Sequence, residues 1–335
     1  MTMNAEILAN VIRGNNVESV HAGHLAVVDG EGNTVLVKGD PSVATYFRSA
    51  AKPFQFIPNL TSGAADAFGF DEREVALAVA SHSGEDMHVE VAASMLAKAG
   101  FSESDLRCGA HFPFDSATSA RMKRASEEPT QLHNNCSGKH AAMLAFAKHI
   151  GSGTDEYESP ENRIQGRILR CLKDFAETED ISLGTDGCAA PNFCLPVAAM
   201  AKSFANLVNP ARFPEITQSA CKRIVAAMTE YPELIGGSTR LDTTLMRAGN
   251  GSLISKVGAD GVWACGIVPS EKYPSGLGIA LKIADGDDMR GRPVVAVAIL
   301  KKLGILEADA MPDLSPMPIK NRRGDTVGRI EAVEL

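Results

Sequence analysis

The chain lacks a basic face, a long apolar run, a secretory leader and a paired cysteine framework, and each absence removes a class of function. Its 33 Lys and Arg are outnumbered by 41 Asp and Glu, giving a formal net charge of -8 over 335 residues. A nucleic-acid binder needs Lys and Arg gathered on one face. Here the densest basic clusters, RMKRA at Arg121 and KNRRGD at Lys320, are short and read as solvated loops. No apolar run approaches the roughly 20 residues that span a bilayer. The start, MTMNAEILANVIRG, has neither the basic opening nor the apolar core of a secretory signal. The seven cysteines (108, 136, 171, 188, 194, 221 and 265) are odd in number and scattered. They read as reduced thiols, some of them candidate ligands, in a cytoplasmic protein. Neither an internal repeat nor a low-complexity linker interrupts the chain.

What is present is an ordinary globular composition, 44% hydrophobic and 22% charged, long enough for one broad domain or two intertwined lobes. HLAVVDGEGNTVLVKGD alternates about a Gly-Glu-Gly-Asn turn and predicts a β-hairpin over His24–Asp40. After Ser49 the pattern becomes helical in EREVALAVAS, VEVAASMLAKAG, KHAAMLAFAKHI, PENRIQGRILRCLKDFAE, FCLPVAAMAKSFANLV and QSACKRIVAAMTEY. GSLISKVGADGVWACGIVP and GLGIALKIADGD return to strand, PVVAVAILKKLGIL is a long helix, and TVGRIEAVEL a final strand. Strands first and last, about a helical insert of roughly two hundred residues, predict an α/β (α+β) fold. An antiparallel sheet from residues 1–48 and 245–335 is flanked by helices, and 49–244 form a mainly helical second lobe. The cleft between the lobes is the expected site.

The chemistry-bearing candidates begin with YFRSAAKPFQF. Ser49 and Lys52 stand one turn apart on a helix face, and Pro53 is tolerated in a first turn, where its missing N–H costs nothing. That puts Ser49 at the N-cap. By itself Ser-x-x-Lys equally fits a cap and a solvated lysine; Ser219–Lys222 repeats it inside an ordinary helix. VASHSGEDMH ends a helix in Ser81-His82-Ser83-Gly84-Glu85, which alone reads as a polar loop. In LISKVGADG, Lys256 sits in an apolar strand, where an exposed edge lysine is the plain alternative, and Gly258 leaves room for a ligand backbone. The order S-x-x-K, Ser-x-Ser, Lys-x-Gly follows the penicillin-binding and serine β-lactamase plan of S-x-x-K, S-D-N and K-T-G. His82-Ser83 and Val257 depart from it, which argues against β-lactam or cell-wall peptide substrates. HNNCSGKHAAM and GTDGCAAPNFCLP add Cys136, Lys139, Asp186 and Cys188 among small polar residues. A buried free thiol is usually just a small hydrophobe. Two thiolates and a third ligand instead suit zinc with an open position, His133 or His140 being the conventional third choice.

FRSAAKPFQ, ASHSGE, NNCSGKHAAM and DGCAAPNF together resemble the rhizobial-type L-asparaginases, the asparaginase II family, along essentially the whole chain. The resemblance implies a β-lactamase/transpeptidase-like fold and hydrolysis of L-asparagine to aspartate and ammonia. It implies two Ser-Lys pairs, Ser49 with Lys52 and Ser81 with Lys256, Lys282 being a rival for the last. It also implies one Zn2+ held by Cys136, Lys139 and Cys188, no organic cofactor, and Asp186 on the substrate's α-ammonium. Arg48 and His140 are candidates for the α-carboxylate and its surroundings. A homodimer is expected, with neither nucleic acid nor membrane as partner. Three other readings remain open: a glutaminase or related Ser-Lys amidohydrolase, a non-catalytic zinc-stabilised amino-acid-binding protein, and a cysteine hydrolase using Cys136.

Overall fold

The computed structural model describes residues 4–335, and the chain divides into two units. Along the chain the strands are β1 (Glu6–Arg13), β2 (Asn16–Asp29), β3 (Thr34–Lys38), β4 (Ala44–Tyr46), β5 (Ser182–Thr185) and β6 (Pro191–Pro196). They continue with β7 (Leu253–Val257), β8 (Val262–Ile267), β9 (Leu277–Ile283), β10 (Met317–Lys320) and β11 (Thr326–Ala332).

The first unit holds the chain through Ala50, together with Cys194–Asn209 and Leu245–Leu335. Its sheet runs β10-β11-β1-β2-β9-β8-β7, with β3 also paired to β2. The two ends of the chain meet in it: β1 pairs antiparallel with β11 from Ala9↔Ala332 to Arg13↔Gly328. This is the mixed α/β architecture expected from strands at both ends. The predicted hairpin is β2–β3, Leu25↔Lys38 to Val28↔Thr34. Its turn is fastened by the Asp29 carboxylate, which accepts from the N–H groups of Glu31 (3.0 Å) and Asn33 (2.8 Å). Residues 194–209, which the sequence pattern assigns to the helical lobe, group with this sheet unit instead. The helix Val197–Val208 packs on β2, β8 and β9, burying Val197, Met200, Ala201, Phe204 and Ala205. FCLP, read as the start of that helix, is strand β6, and Pro196 then occupies the helix N-cap position.

The second unit, Ala51–Phe193 with Pro210–Thr244, is mainly helical. At its centre is the helix Lys52–Thr61, whose residues from Lys52 to Leu60 are all buried, the mark of a helix surrounded on every side. Around it pack the helices Ser137–His149, Arg163–Ala176 and Glu215–Glu230. Arg163–Ala176 is amphipathic: Ile164, Ile168, Leu172 and Phe175 make one stripe, and Asn162 caps its start by accepting from the Ile164 N–H. Phe175 lies 5.5 Å from Phe54 of the central helix and stacks on Phe213 at 4.2 Å. Burying each such side chain contributes about 1.5–3 kcal/mol, which fixes the central helix and the lysine at its first position.

Candidate active site

Lys52 is 1% exposed, and its ammonium has three oxygen partners. Nζ bonds to Ser81 Oγ (3.0 Å), to the Asn135 carbonyl (3.1 Å) and to the Ala80 carbonyl. Local structure supplies each of them. The helix Glu72–Ala78 starts on a reciprocal Asp71–Glu74 cap and ends just before Ala80 and Ser81, whose N–H donates to the Ile235 carbonyl at 2.9 Å. Asn135 arrives because the helix Ser137–His149 presses onto that same helix end. A Cβ on Gly138 would stand 2.3 Å from the Leu77 carbonyl oxygen, so only glycine allows the approach. Burial draws the Lys52 ammonium below its ordinary range, and the nearby charge of Lys139 adds to this while the thiols of Cys136 and Cys188 oppose it. Two of its partners are carbonyls, which only accept; the Ser81 hydroxyl can accept from an ammonium or donate to a free amine. The same three contacts therefore serve Lys52 in either protonation state, which suits a group that takes up and returns a proton.

A second cluster lies in the same unit. Cys136 stands at the N-cap of the helix Ser137–His149, its N–H bonded to Asn134 Oδ1 at 2.8 Å. Asp186 and Cys188 sit on a tight turn after β5, closed by bonds from the Asp186 N–H to the Ala190 carbonyl and from the Ala189 N–H to the Asp186 carbonyl, both 2.9 Å. The ligand atoms of Cys136, Asp186 and Cys188 all lie within 4.8 Å of one another, a grouping able to hold a metal ion. Lys139 Nζ is 3.0 Å from Cys188 Sγ. A hydrogen bond from Cys136, with help from Lys139 and His140, draws the Cys188 thiol below its ordinary range against the effect of burial. The same contact with Cys188, and burial, push the Cys136 thiol well up. Burial disfavours the Lys139 ammonium, but the facing Cys188 and Cys136 sulfurs override it and hold the group charged. His140 is fully buried, with Nδ1 2.8 Å from the Tyr157 hydroxyl. That hydroxyl also accepts from the Arg107 N–H at 2.8 Å. His133 bonds back to Thr130 at 3.1 Å and stands outside the grouping, whose third member is a carboxylate.

The other predicted residues belong to the sheet unit. Ser49, half-buried, lies in the 3-10 turn Arg48–Ala51 that runs directly into the helix Lys52–Thr61. It is not the helix cap: Ala51 holds that position with no side-chain bond, and Pro53 sits in the first turn as expected. Arg48 has a left-handed backbone (φ 54°) and is ion-paired with Asp260, itself at φ 59° in the β7–β8 turn. Lys256 is fully buried and donates to the Val257 carbonyl at 3.1 Å, so it is not an exposed edge lysine although β7 ends the sheet. Lys282, its rival, donates to the Asp260 carbonyl, and burial lowers its ammonium against the pull of Asp260, Asp288 and Asp285. The room expected beside Gly258 is taken by the protein itself: a Cβ there would meet the Phe47 carbonyl oxygen at 2.8 Å and the Val262 side chain at 2.9 Å.

No curated protein sequence matches the chain. Among solved structures it is similar to a probable glutaminase from Bacillus subtilis complexed with 6-diazo-5-oxo-L-norleucine, at 13% identity and a TM-score of 0.43 over 85% of each chain. It is also similar to a Bacillus glutaminase in the presence of 4.3M NaCl, at 15% identity and a TM-score of 0.40, over 84% of this chain and 89% of that one. The L-asparaginase II profile matches residues 9–332. That span takes in every candidate residue described above, and the chain belongs to the L-asparaginase II family of asparagine amidohydrolases.

Proposed function

We propose that asparagine is cleaved through an acyl-enzyme on Ser49, with Lys52 as its base. The observation that carries Lys52 as the base is its burial, which lowers its ammonium, and its bond to Ser81; Ser49 is assigned by its place in the motif, directly before the helix that Lys52 opens. Ser49 Oγ attacks the side-chain carbonyl carbon and its proton passes to the Lys52 amine. Collapse of the tetrahedral intermediate breaks the C–N bond, and the same proton leaves with ammonia. Water then adds to the aspartyl ester, gives its proton to Lys52, and Ser49 takes it back as aspartate departs. Backbone N–H groups hold the oxyanion. Ser81 and Lys256 form the second pair, in which Ser81 relays protons and the Lys256 charge keeps Lys52 neutral. Asp186 takes the substrate's α-ammonium, and Arg48 and His140 serve its α-carboxylate, Arg48 on exchanging its present partner Asp260.

A zinc ion fits the second cluster, because two cysteine sulfurs and a carboxylate lie within 4.8 Å of one another and the Lys139 nitrogen is 3.0 Å from one of those sulfurs. Cys136, Lys139 and Cys188 would hold it, Lys139 after losing its proton, and the ion would supply fixed positive charge beside the bound substrate. Since Ser49 and Lys52 already provide nucleophile and base, chelation or Cys188→Ser is expected to raise KM more than it lowers kcat, the mark of lost uniform binding. A kcat reduced about a thousandfold at unchanged KM would make the metal catalytic.

Ammonia release from asparagine and glutamine, with native and zinc-stripped enzyme side by side, tests the substrate assignment. One methylene in the pocket is worth about 1–3 kcal/mol, so asparagine is expected to be preferred by about tenfold to two-hundredfold. Preference for glutamine would support the glutaminase reading. Binding of aspartate and zinc without ammonia from either amide would leave a binding protein. We further propose a homodimer, the commonest symmetric oligomer, which sedimentation showing only monomer at micromolar concentration would contradict.

A further inference from the structure

We infer that Glu85 is a positioning residue: clamped by the Gly237–Ser238 loop, it fixes the Ser81–Glu85 segment so that the Ser81 hydroxyl meets the Lys52 amine. The inference rests on the role proposed above for Ser81. Glu85 Oε1 accepts from Ser83 Oγ (2.6 Å) and from the Ser238 N–H (2.8 Å), and Oε2 from Ser238 Oγ (2.5 Å). These three donors come from outside the helix Asp86–Ala99, at whose N-cap Glu85 stands in a reciprocal capping box with His88. An ordinary helix-capping carboxylate needs only a backbone donor of its own helix. Here it draws two separate segments together. Burial alone would raise the Glu85 carboxyl, but the Ser238 and Ser83 donors hold it below its ordinary value, and it stays a carboxylate.

The clamp is built at several points. The Ser81 N–H bonds to the Ile235 carbonyl at 2.9 Å, and the Asp115 N–H to the Ser83 carbonyl at 3.0 Å. The Glu85 N–H donates to His88 Nδ1 at 3.0 Å, and the other ring nitrogen of His88 donates to the Glu233 carbonyl at 2.9 Å. Thr243 Oγ1 lies 2.7 Å from the Gly237 carbonyl and 2.9 Å from that of Pro232, so the clamping loop is tied from behind as well. Gly237 is at φ 112°, and a Cβ on it would fall 1.9 Å from Ser83 Oγ and 2.7 Å from Glu85 Oε1. Any side chain there displaces the Ser83 and Glu85 side chains from this contact and is strained by the backbone itself. Since Ser81 is bonded at its backbone to Ile235, two residues before Gly237, and at its hydroxyl to Lys52, loss of the clamp is felt at the amine.

The test compares Glu85→Gln, Gly237→Ala and the milder Ser238→Ala with Ser81→Ala, measuring kcat, KM and melting temperature for each. Misplacing a reacting group by about 1 Å costs on the order of a hundredfold. Glu85→Gln and Gly237→Ala are therefore expected to lower kcat about tenfold to a hundredfold per folded molecule at little-changed KM. Glu85→Asp, which keeps the charge, should recover part of the loss. If Gly237→Ala does not fold, Ser238→Ala, at an exposed position, should show a smaller loss in the same direction. An inactive Ser81→Ala beside Glu85→Gln and Ser238→Ala of normal kcat and lowered melting temperature would make Glu85 merely structural and overturn the inference alone. A Ser81→Ala enzyme of normal kcat would overturn the reading of Ser81 and the inference with it.

Discussion

Ser49→Ala is expected to release essentially no ammonia from asparagine while folding as the parent does. A loss of about a thousandfold or more in kcat corresponds to ~4 kcal/mol of transition-state stabilisation. A capping serine removed from a helix costs only ~0.5–2 kcal/mol, and that in stability. Here even that cost is not expected, because Ala51 and not Ser49 stands at the N-cap of the central helix. Unchanged melting temperature with abolished turnover separates the two roles. Should Ser49→Ala keep near-normal kcat, Ser81, already bonded to Lys52, becomes the nucleophile candidate.

Lys52→Met should lower kcat by about a hundredfold to ten-thousandfold, the usual contribution of a positioned general base. The pH dependence has a definite sign. The base works as the neutral amine, and burial lowers its proton affinity in the folded protein. Activity should therefore be complete above the lowered value and fall as pH drops through it, with the apparent midpoint belonging to the coupled lysines. A rate flat from mildly acidic to strongly alkaline pH would count against a lysine base. If Lys256 plays the part proposed for it, Lys256→Met should also cut kcat severely, but by moving that midpoint upward, because a like charge that disfavours the ammonium would be gone.

The long amphipathic elements were legible because burial imposes a period on them. The helix Arg163–Ala176 and the hairpin β2–β3 follow directly from apolar spacing and turn residues. Where burial is slight, the signal fades. The helix Ser116–Ala125 buries only Ser119 and Met122, and its one readable mark is the capping Asp115, which accepts from the Thr118 N–H. The first strand was missed for a different reason: register shifts between Ile7 and Ala9 and between Val11 and Ile12 break the alternation a strand would show. In the candidate site, residue types and order single out Lys52, Ser81, Cys136, Lys139 and Cys188, and the structure places Lys52 against Ser81 and Lys139 against Cys188. Polar partners are not legible in this way, since the Asn135 carbonyl on Lys52, the Tyr157 hydroxyl on His140 and Ser238 on Glu85 come from distant parts of the chain. The Asp186 carboxylate was expected beside the substrate, and only the turn that follows β5 shows it within reach of the two thiols. Gly258 illustrates the opposite error, where a small residue in a suggestive motif makes room for the chain's own backbone.

The central claim, an aspartyl ester on Ser49, is tested most directly by trapping it. Enzyme mixed with asparagine and quenched in acid during turnover should carry one added aspartyl group by intact mass, and peptide mapping should place it on Ser49. The adduct should be absent from Ser49→Ala. An adduct on Ser81 or Cys136, or none under conditions where hydrolysis of the ester limits turnover, would contradict the account.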